Sequence, residues 1–353
     1  MRRAILVALV LMTVVHSQPA HATCRFSRDY EGEDRSFVGW SPQKVGYRDD
    51  DGTNKSSLMI LSAQISMTVP AGAVCGSPQH GETLWQFLPS LNLAFTQLGE
   101  HSSAVLPPSF NPRILRAAFR YRWWPGARAP FNPNGREWAL GAIVSGWSHH
   151  SNGQYAPTYY DAAGNPTDDL SKAAAANREN GDFSTNYLGG KIWLRRSRLD
   201  DNGDRPRQGV FAALEYQFHH GAVFPGALED KLRPIWGRHH VLLSALYRTG
   251  YQHDPKGDVA PSDSLGGAYW LVAADAWWVI GADSAPVVSS WQWRGAVEAA
   301  WFVPKYLGPA GLFVRADAGR NPLNLRFVEN RNEIIFGIML DTSQSIERLT
   351  PVQ

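Results

Sequence analysis

The chain of 353 residues is poor in cysteine, with only Cys24 and Cys75, so it can form at most one disulfide. Beyond residue 22 it has no unbroken apolar run of about 18 residues, which argues against a bundle of membrane helices. It also lacks a surplus of either charge. Lys and Arg total 34 against 32 Asp and Glu, a net charge of +2, so no nucleic-acid partner is expected. No long helical period stands out.

What is present starts with an export signal. Arg2 and Arg3 precede an apolar stretch, Ala4–Val15, and a small-x-small cleavage site, Ala20-His21-Ala22. Residues 1–22 therefore read as a signal peptide, with mature protein starting near Thr23. Lipidation at Cys24 is the weaker reading, because Thr23 suits that position poorly. The 14 Trp, 12 Tyr and 15 Phe are an unusual aromatic load. It fits the interfacial girdles of a membrane barrel, and more plainly an ordinary β-rich core.

Eleven strand-like segments, bounded by Gly, Pro, Asn and Asp, run from Ser57–Val69 to Glu333–Asp341. Several alternate. In Arg113–Trp124 one face holds Leu115, Phe119, Tyr121 and Trp123, and the other Arg116, Arg120 and Arg122. In Ser184–Arg196 one face holds Leu188, Ile192 and Leu194, and the other Lys191 and Arg195. Arginine-rich inner faces behind apolar outer faces suit an all-β fold, a transmembrane antiparallel up-and-down β-barrel. The arginines are expected to meet lumen acids such as Glu215 and Asp317 rather than lipopolysaccharide. Bacterial barrels have even strand numbers, and the long connection from Ser151 to Phe183 belongs on the outer side. One strand is therefore missing upstream, at Phe37–Trp40 or Lys44–Arg48, and the total becomes twelve. The chain divides into an N-terminal periplasmic segment 23–56 holding that strand, a barrel 57–341 and a C-terminal extension 342–353. Cys24 and Cys75 then fall on the periplasmic side. A bridge there would close a loop of about 50 residues and contribute roughly 4 kcal/mol; two unpaired thiols are the plain alternative.

The chemistry concentrates in Gly146-Trp147-Ser148-His149-His150-Ser151-Asn152-Gly153, at a strand end. His149 and Ser151 are two apart and share a face, so a base lies beside a hydroxyl nucleophile. The next strand opens Ser184-Thr185-Asn186, and antiparallel pairing brings Asn186 to His149 as the group that orients the imidazole. On a lipid-facing surface an uncharged carboxamide avoids the several kcal/mol that a carboxylate would cost. The parity of the first strand is mixed. His149 shares its face with Ile143 and Trp147, whereas Trp138, Leu140 and Val144 occupy the other.

This constellation resembles the outer-membrane phospholipase A family, in Gly146-(aromatic)-x-His149-x-Ser151-Asn152-Gly153 followed by Ser184-x-Asn186. Phe110-Asn111-Pro112-Arg113 and the closing Arg331–Asp341 are similar to it as well. The resemblance implies a twelve-stranded outer-membrane barrel that hydrolyses acyl esters of glycerophospholipids at either chain position. By position Ser151 is the nucleophile, His149 the base, Asn186 the orienting group, and the Gly153 N–H an oxyanion donor. It also implies a calcium cofactor and a reversible homodimer among outer-membrane lipids. Ser102, Gln154 and Asp182 stand near the family's calcium positions. Gln154 replaces an arginine that binds through its backbone oxygen, and the loop before Asn186 is longer than the family's. Loop acids Asp161, Asp168 and Asp169 are further calcium candidates.

Three other readings compete. A lipid A deacylase uses a similar His-x-Ser-Asn pair with a glutamate as the orienting group, for which Glu179 is the nominee. A porin-like barrel would have no catalysis. The paired histidines, His149-His150, His219-His220 and His239-His240, suggest a metal, but adjacent strand residues point to opposite faces.

Overall fold

The computed structural model describes residues 35–41, 44–48, 54–69, 72–76, 81–98, 109–123, 136–151, parts of 159–176, 184–199, 206–220, 233–249, 268–282, 292–320 and 330–341. The strands are β1 (Arg35–Trp40), β2 (Lys44–Arg48), β3 (Asn54–Thr68), β4 (Gly72–Gly76), β5 (Gly81–Phe87), β6 (Ser90–Leu98), β7 (Ser109–Trp123) and β8 (Arg136–Ser151). Three two-residue strands follow, β9 (Tyr159–Tyr160), β10 (Pro166–Thr167) and β11 (Ala175–Ala176). The wall resumes with β12 (Ser184–Leu199), β13 (Pro206–His220), β14 (His239–Thr249), β15 (Tyr269–Ile280), β16 (Trp293–Phe302), β17 (Ala310–Arg320) and β18 (Asn330–Asp341). Two four-residue helices, α1 (Arg233–Trp236) and α2 (Pro304–Leu307), lie in connections.

The sheet is a closed ring. It runs β3-β1-β18-β17-β16-β15-β14-β13-β12-β8-β7, and β6 pairs with both β7 and β3. Twelve antiparallel wall strands result, and closure leaves no unpaired edge in the band between the ends. The extra strands extend the wall. β2 prolongs β1 along β3, and the β4–β5 hairpin prolongs β3 and β6. Both upstream candidates are therefore strands, Phe37–Trp40 within β1 and Lys44–Arg48 as β2. β5 and β6 are separate strands, broken at Leu88–Pro89. Pro89 has no N–H to donate, and the Leu88 N–H bonds to the Arg116 carbonyl at 2.8 Å. Cys75 lies in β4, whereas Cys24 falls outside the described residues, as do the 250–267 connection and the terminal 342–353 segment.

The seam between first and last strands depends on two glycines in register, Gly39 and Gly337. A Cβ on Gly337 would lie 2.1 Å from the Val38 carbonyl oxygen and 2.9 Å from the Phe313 ring. The space is taken by Phe313, which packs on Phe37 with ring centroids 5.1 Å apart.

Alternation sorts the side chains. Val144 is 62% exposed and Ile192 58%, while their neighbours Ile143 and Trp193 are buried within the ring. The apolar outer band is bordered by aromatic pairs. Trp123–Trp138 and Trp270–Trp301, each 6.2 Å apart, lie near the end where β1 begins. Trp278 and Trp293 pair at the far end. This is the surface of a membrane-spanning barrel.

The interior is filled. Trp193, Phe211, Tyr269 and Phe302 form an apolar layer, and Arg116, Arg120, Arg195 and Arg320 are fully buried. Charges are paired around the ring. Arg35 meets Asp275 at 2.8 Å, Arg315 meets Glu298 at 2.9 Å, and Arg248 meets Asp341 at 3.1 Å. The acids expected for the arginine stripe are only partly right. Arg122 and Arg195 pair with Glu137, and Glu215 faces Arg113 at 3.8 Å. Asp317 pairs with Arg294 and Arg315, because β17 lies across the ring from β7.

Candidate active site

The far ends of β8 and β12 bring the expected residues together by register. Asn186 pairs with His149, and Ser184 with Ser151. His149 Nδ1 and Asn186 Oδ1 are 2.9 Å apart. Because a carbonyl oxygen can only accept, this contact puts the proton on Nδ1 and leaves Nε2 with a lone pair. Ser151 stands two residues along on the same face, about 6.8 Å away in Cα spacing. Among the described residues no hydrogen bond joins Ser151 to His149, and such contacts commonly tighten only when substrate binds.

The mixed parity of β8 has a structural cause. Tyr187 pairs with Ser148 but Gly189 pairs with Ser145, so two residues of β8, Gly146 and Trp147, oppose Leu188 alone. The pairing with β7 is irregular at the same level, where Leu115 meets Trp147 and Arg116 meets Ser145. This β-bulge resets the alternation. Below it the odd-numbered residues Ala139 and Ile143 point inward; above it Ser148, 0% exposed, points inward. His149 and Ser151 therefore share the outer face with Leu140 and Val144. Glycine inside a strand is the usual mark of such a bulge.

Asn186 shares its outward row with Leu188, Ile192 and Leu194, yet it is 0% exposed, in a row with His149 on one side and His220 on the other. Phe110 pairs with Ser151, and its ring lies 6.4 Å from the His149 ring, an apolar flank beside the hydroxyl. Behind the site, on the inner face, the Tyr187 hydroxyl donates to Asn111 Oδ1 at 2.9 Å and Thr185 Oγ1 lies 3.2 Å from His219 Nδ1. These bonds fix the rungs that carry Asn186.

Sequence reasoning missed an inner cluster. The inward members of the three histidine pairs, His150, His219 and His240, converge on Trp236 of α1. His219 and His240 rings are 4.1 Å apart, and His240 Nε2 lies 2.9 Å from the Trp236 carbonyl. His219-His220 ends β13. No signal along the chain links these residues, because three different strands and a loop supply them. Among the described residues no group of three or more His, Cys, Asp or Glu side chains could hold a metal ion.

Gly153, Ser102, Gln154, Asp182, Asp168 and Glu179 lie outside the described residues. Two loop acids are described. Asp161 Oδ1 accepts the N–H groups of Ala163 and Asn165, each at 2.9 Å, which closes the turn between β9 and β10. The Asn165 N–H does most to hold this exposed carboxyl below the usual carboxylate range. Asp169 pairs with Lys172 at 3.2 Å.

No family model and no curated protein matches the chain. Solved structures do. An active-site variant of outer membrane phospholipase A from Escherichia coli has 12% identity and a TM-score of 0.46, covering 93% of this chain and 96% of that one. The Salmonella typhi outer membrane phospholipase, a dimer with bound calcium, has 10% identity and a TM-score of 0.47, covering 88% and 91%. A further Escherichia coli structure of outer membrane phospholipase A has 11% identity and a TM-score of 0.47, covering 87% and 96%.

Proposed function

We propose that the protein is an outer-membrane phospholipase that hydrolyses acyl esters of glycerophospholipids through Ser151, His149 and Asn186. The observation that carries this reading is the 2.9 Å contact between His149 Nδ1 and Asn186 Oδ1 on the outward face of a membrane barrel. Lipid esters reach that face directly, at the level where acyl chains meet head groups.

The chemistry follows from the tautomer. Ser151 Oγ attacks the ester carbonyl while His149 Nε2 takes its proton. The imidazolium donates through Nδ1 to the Asn186 carbonyl. The tetrahedral adduct collapses, and His149 returns the proton to the departing alcohol oxygen of the lysophospholipid. Water, deprotonated by the same imidazole, then releases the fatty acid and restores Ser151. The Gly153 N–H is assigned to the oxyanion by its place in the motif.

Calcium and a reversible homodimer belong to the same reading. The nominated ligands are Ser102, Gln154 and Asp182, and none of the steps above depends on them. Asp161 and Asp169 suit the role less well, since each carboxylate already serves its own loop. Two alternatives are less well supported. Asn186, not a glutamate, stands opposite His149, unlike the arrangement of a lipid A deacylase. Fully buried lumen arginines and Trp193 fit an open porin channel poorly.

The test is release of fatty acid from phospholipid micelles by refolded protein. Ser151→Ala should abolish it while the barrel keeps its heat-modifiable gel shift. Unchanged release from that variant would reject the nucleophile. In micelles that hold both phospholipid and lipopolysaccharide, mass spectrometry should find lysophospholipid; 3-O-deacylated lipid A as the sole product would instead favour the deacylase.

A further inference from the structure

His219 lies at the end of β13 on the inner face, buried, with Trp236 of α1 packed edge-on against it. The Trp236 Nε1–H donates to His219 Nδ1 at 3.2 Å. An indole nitrogen can only donate, so Nδ1 presents its lone pair and the ring carries its one proton on Nε2. Nε2 faces Gln217 Oε1 at 3.3 Å. The other end of that carboxamide donates to Glu215 Oε1 at 2.6 Å, which turns the Gln217 oxygen toward the ring. The donors thus run one way, from α1 through a neutral imidazole to the acid that faces Arg113 at 3.8 Å.

The same contacts back the catalytic rungs. The Trp236 ring lies 5.9 Å from that of His150, and His150 stands between His149 and Ser151 on β8. Thr185 Oγ1 is 3.2 Å from His219 Nδ1 and 3.3 Å from the Asn186 carbonyl oxygen. A second proton on His219 would change this arrangement. Nδ1 would carry an N–H that opposes the Trp236 N–H and suits the Thr185 oxygen instead, while the Nε2–H bond to Gln217 survives. Tyr187 from β12 and His240 from β14 face His219 directly, with ring centroids 5.0 and 4.1 Å away. Around them lie His150 from β8, Arg113 from β7 and Arg320 from β17, with His220 and His239 on the outer side and Arg233 on α1. Of the groups named only Glu215 is acidic, and it already meets Gln217 and Arg113.

We propose that His219 is a positioning residue that holds Trp236 against the back of the catalytic rungs only while its ring is neutral, so that acidification releases Trp236 and loosens the rungs. The consequence for hydrolysis rests on the function proposed above; the hydrogen-bonded latch does not. Histidine suits this role because an imidazole exchanges an acceptor for a donor within the range from about pH 8 to pH 5. His219 touches no reacting atom. It acts through Trp236 on the segment of β8 between His149 and Ser151, and through Thr185 on the rung that carries Asn186.

The test uses the full-length refolded protein in micelles, labelled with nitrogen-15 in histidine and tryptophan, the Trp236 signal being assigned with Trp236→Phe. At about pH 8 the His219 ring should be protonated on Nε2 alone. Exchange protection of the Trp236 indole N–H, corrected for the intrinsic pH dependence of exchange, should fall roughly tenfold or more between about pH 8 and pH 5. His219→Gln supplies an acceptor that does not titrate, so its protection should change by about twofold or less over that range. The ratio of kcat in the Gln variant to kcat in the parent should lie near one at about pH 8 and rise about fivefold or more by about pH 5, since titration of His149 is common to both. Protection independent of pH in the parent, or a proton on His219 Nδ1 at about pH 8, would overturn the proposal without recourse to any variant. Equal pH sensitivity in the Gln variant would also overturn it. A flat kcat ratio alongside pH-sensitive protection would refute the positioning role. If Ser151→Ala stays active, the proposed function fails, yet the exchange and tautomer measurements still decide whether His219 holds Trp236.

Discussion

Replacing Asn186 with alanine removes the acceptor that holds the His149 imidazole at 2.9 Å. Asn186 is 0% exposed, so water does not readily take the place of the missing carbonyl. A buried hydrogen bond lost in this way costs about 1–3 kcal/mol. All of that loss falls on the transition state if the tautomer is what the bond secures, and at 1.36 kcal/mol per decade it slows turnover roughly 5- to 150-fold. Folding should be little affected, because the backbone pairing of Asn186 with His149 and His220 does not use the side chain. The assay is initial-rate fatty-acid release from mixed micelles, with the barrel checked by heat modifiability on a gel. The expected outcome is a fall in kcat within that range and a KM close to the parent. A variant within twofold of parental kcat, alongside an inactive Ser151→Ala protein, would refute the reasoning. The imidazole would then be oriented by something other than this carboxamide.

Three further outcomes follow from other parts of the wall. Gly337→Val should destabilise the seam by about 1–3 kcal/mol, because its Cβ would sit 2.1 Å from a backbone oxygen that cannot move aside; Gly190→Val, with nothing within 4 Å, should leave the urea midpoint unchanged. The Asp161 turn should be pH-sensitive. A carboxyl held below its ordinary range contributes order above its unfolded pKa and loses it as pH falls through the folded value. Protection of the Asn165 amide against hydrogen exchange should therefore persist at neutral pH and vanish on acidification; protection independent of pH would count against the hydrogen bonds to Asp161. Chelation by EGTA should reduce hydrolysis and added calcium restore it. Full activity in EGTA would remove calcium from the proposal without touching the triad.

The wall was legible because its physics is local: alternation needs only neighbours two apart, and the turn residues mark where each strand ends. That is why β12, with Leu188, Ile192 and Leu194 outward against Lys191 and Arg195, could be oriented from its residues alone. The same logic fails on β8. Leu140 and Val144 have even numbers and His149 and Ser151 odd ones, so strict alternation puts the site and the lipid face on opposite sides. The extra residue at Gly146–Trp147 reconciles them, and Gly146 inside an apolar strand was the available sign of it. The inner cluster was out of reach for a different reason. His150, His219, His240 and Trp236 meet because the registers of the neighbouring strands β8, β12, β13 and β14 align the three imidazoles and α1 sets Trp236 against them, and pairwise spacing along the chain carries no record of that. The bulge and the inner cluster also belong to one arrangement. By turning His149 outward, the bulge turns Ser148 and His150 inward, so the base on the lipid face and the packed imidazoles behind it are opposite sides of the same rungs. A substitution that loosens the inner side, such as His219→Ala, therefore has a direct route to the outer one through Thr185, which neighbours Asn186 in the chain and lies 3.2 Å from the His219 ring nitrogen.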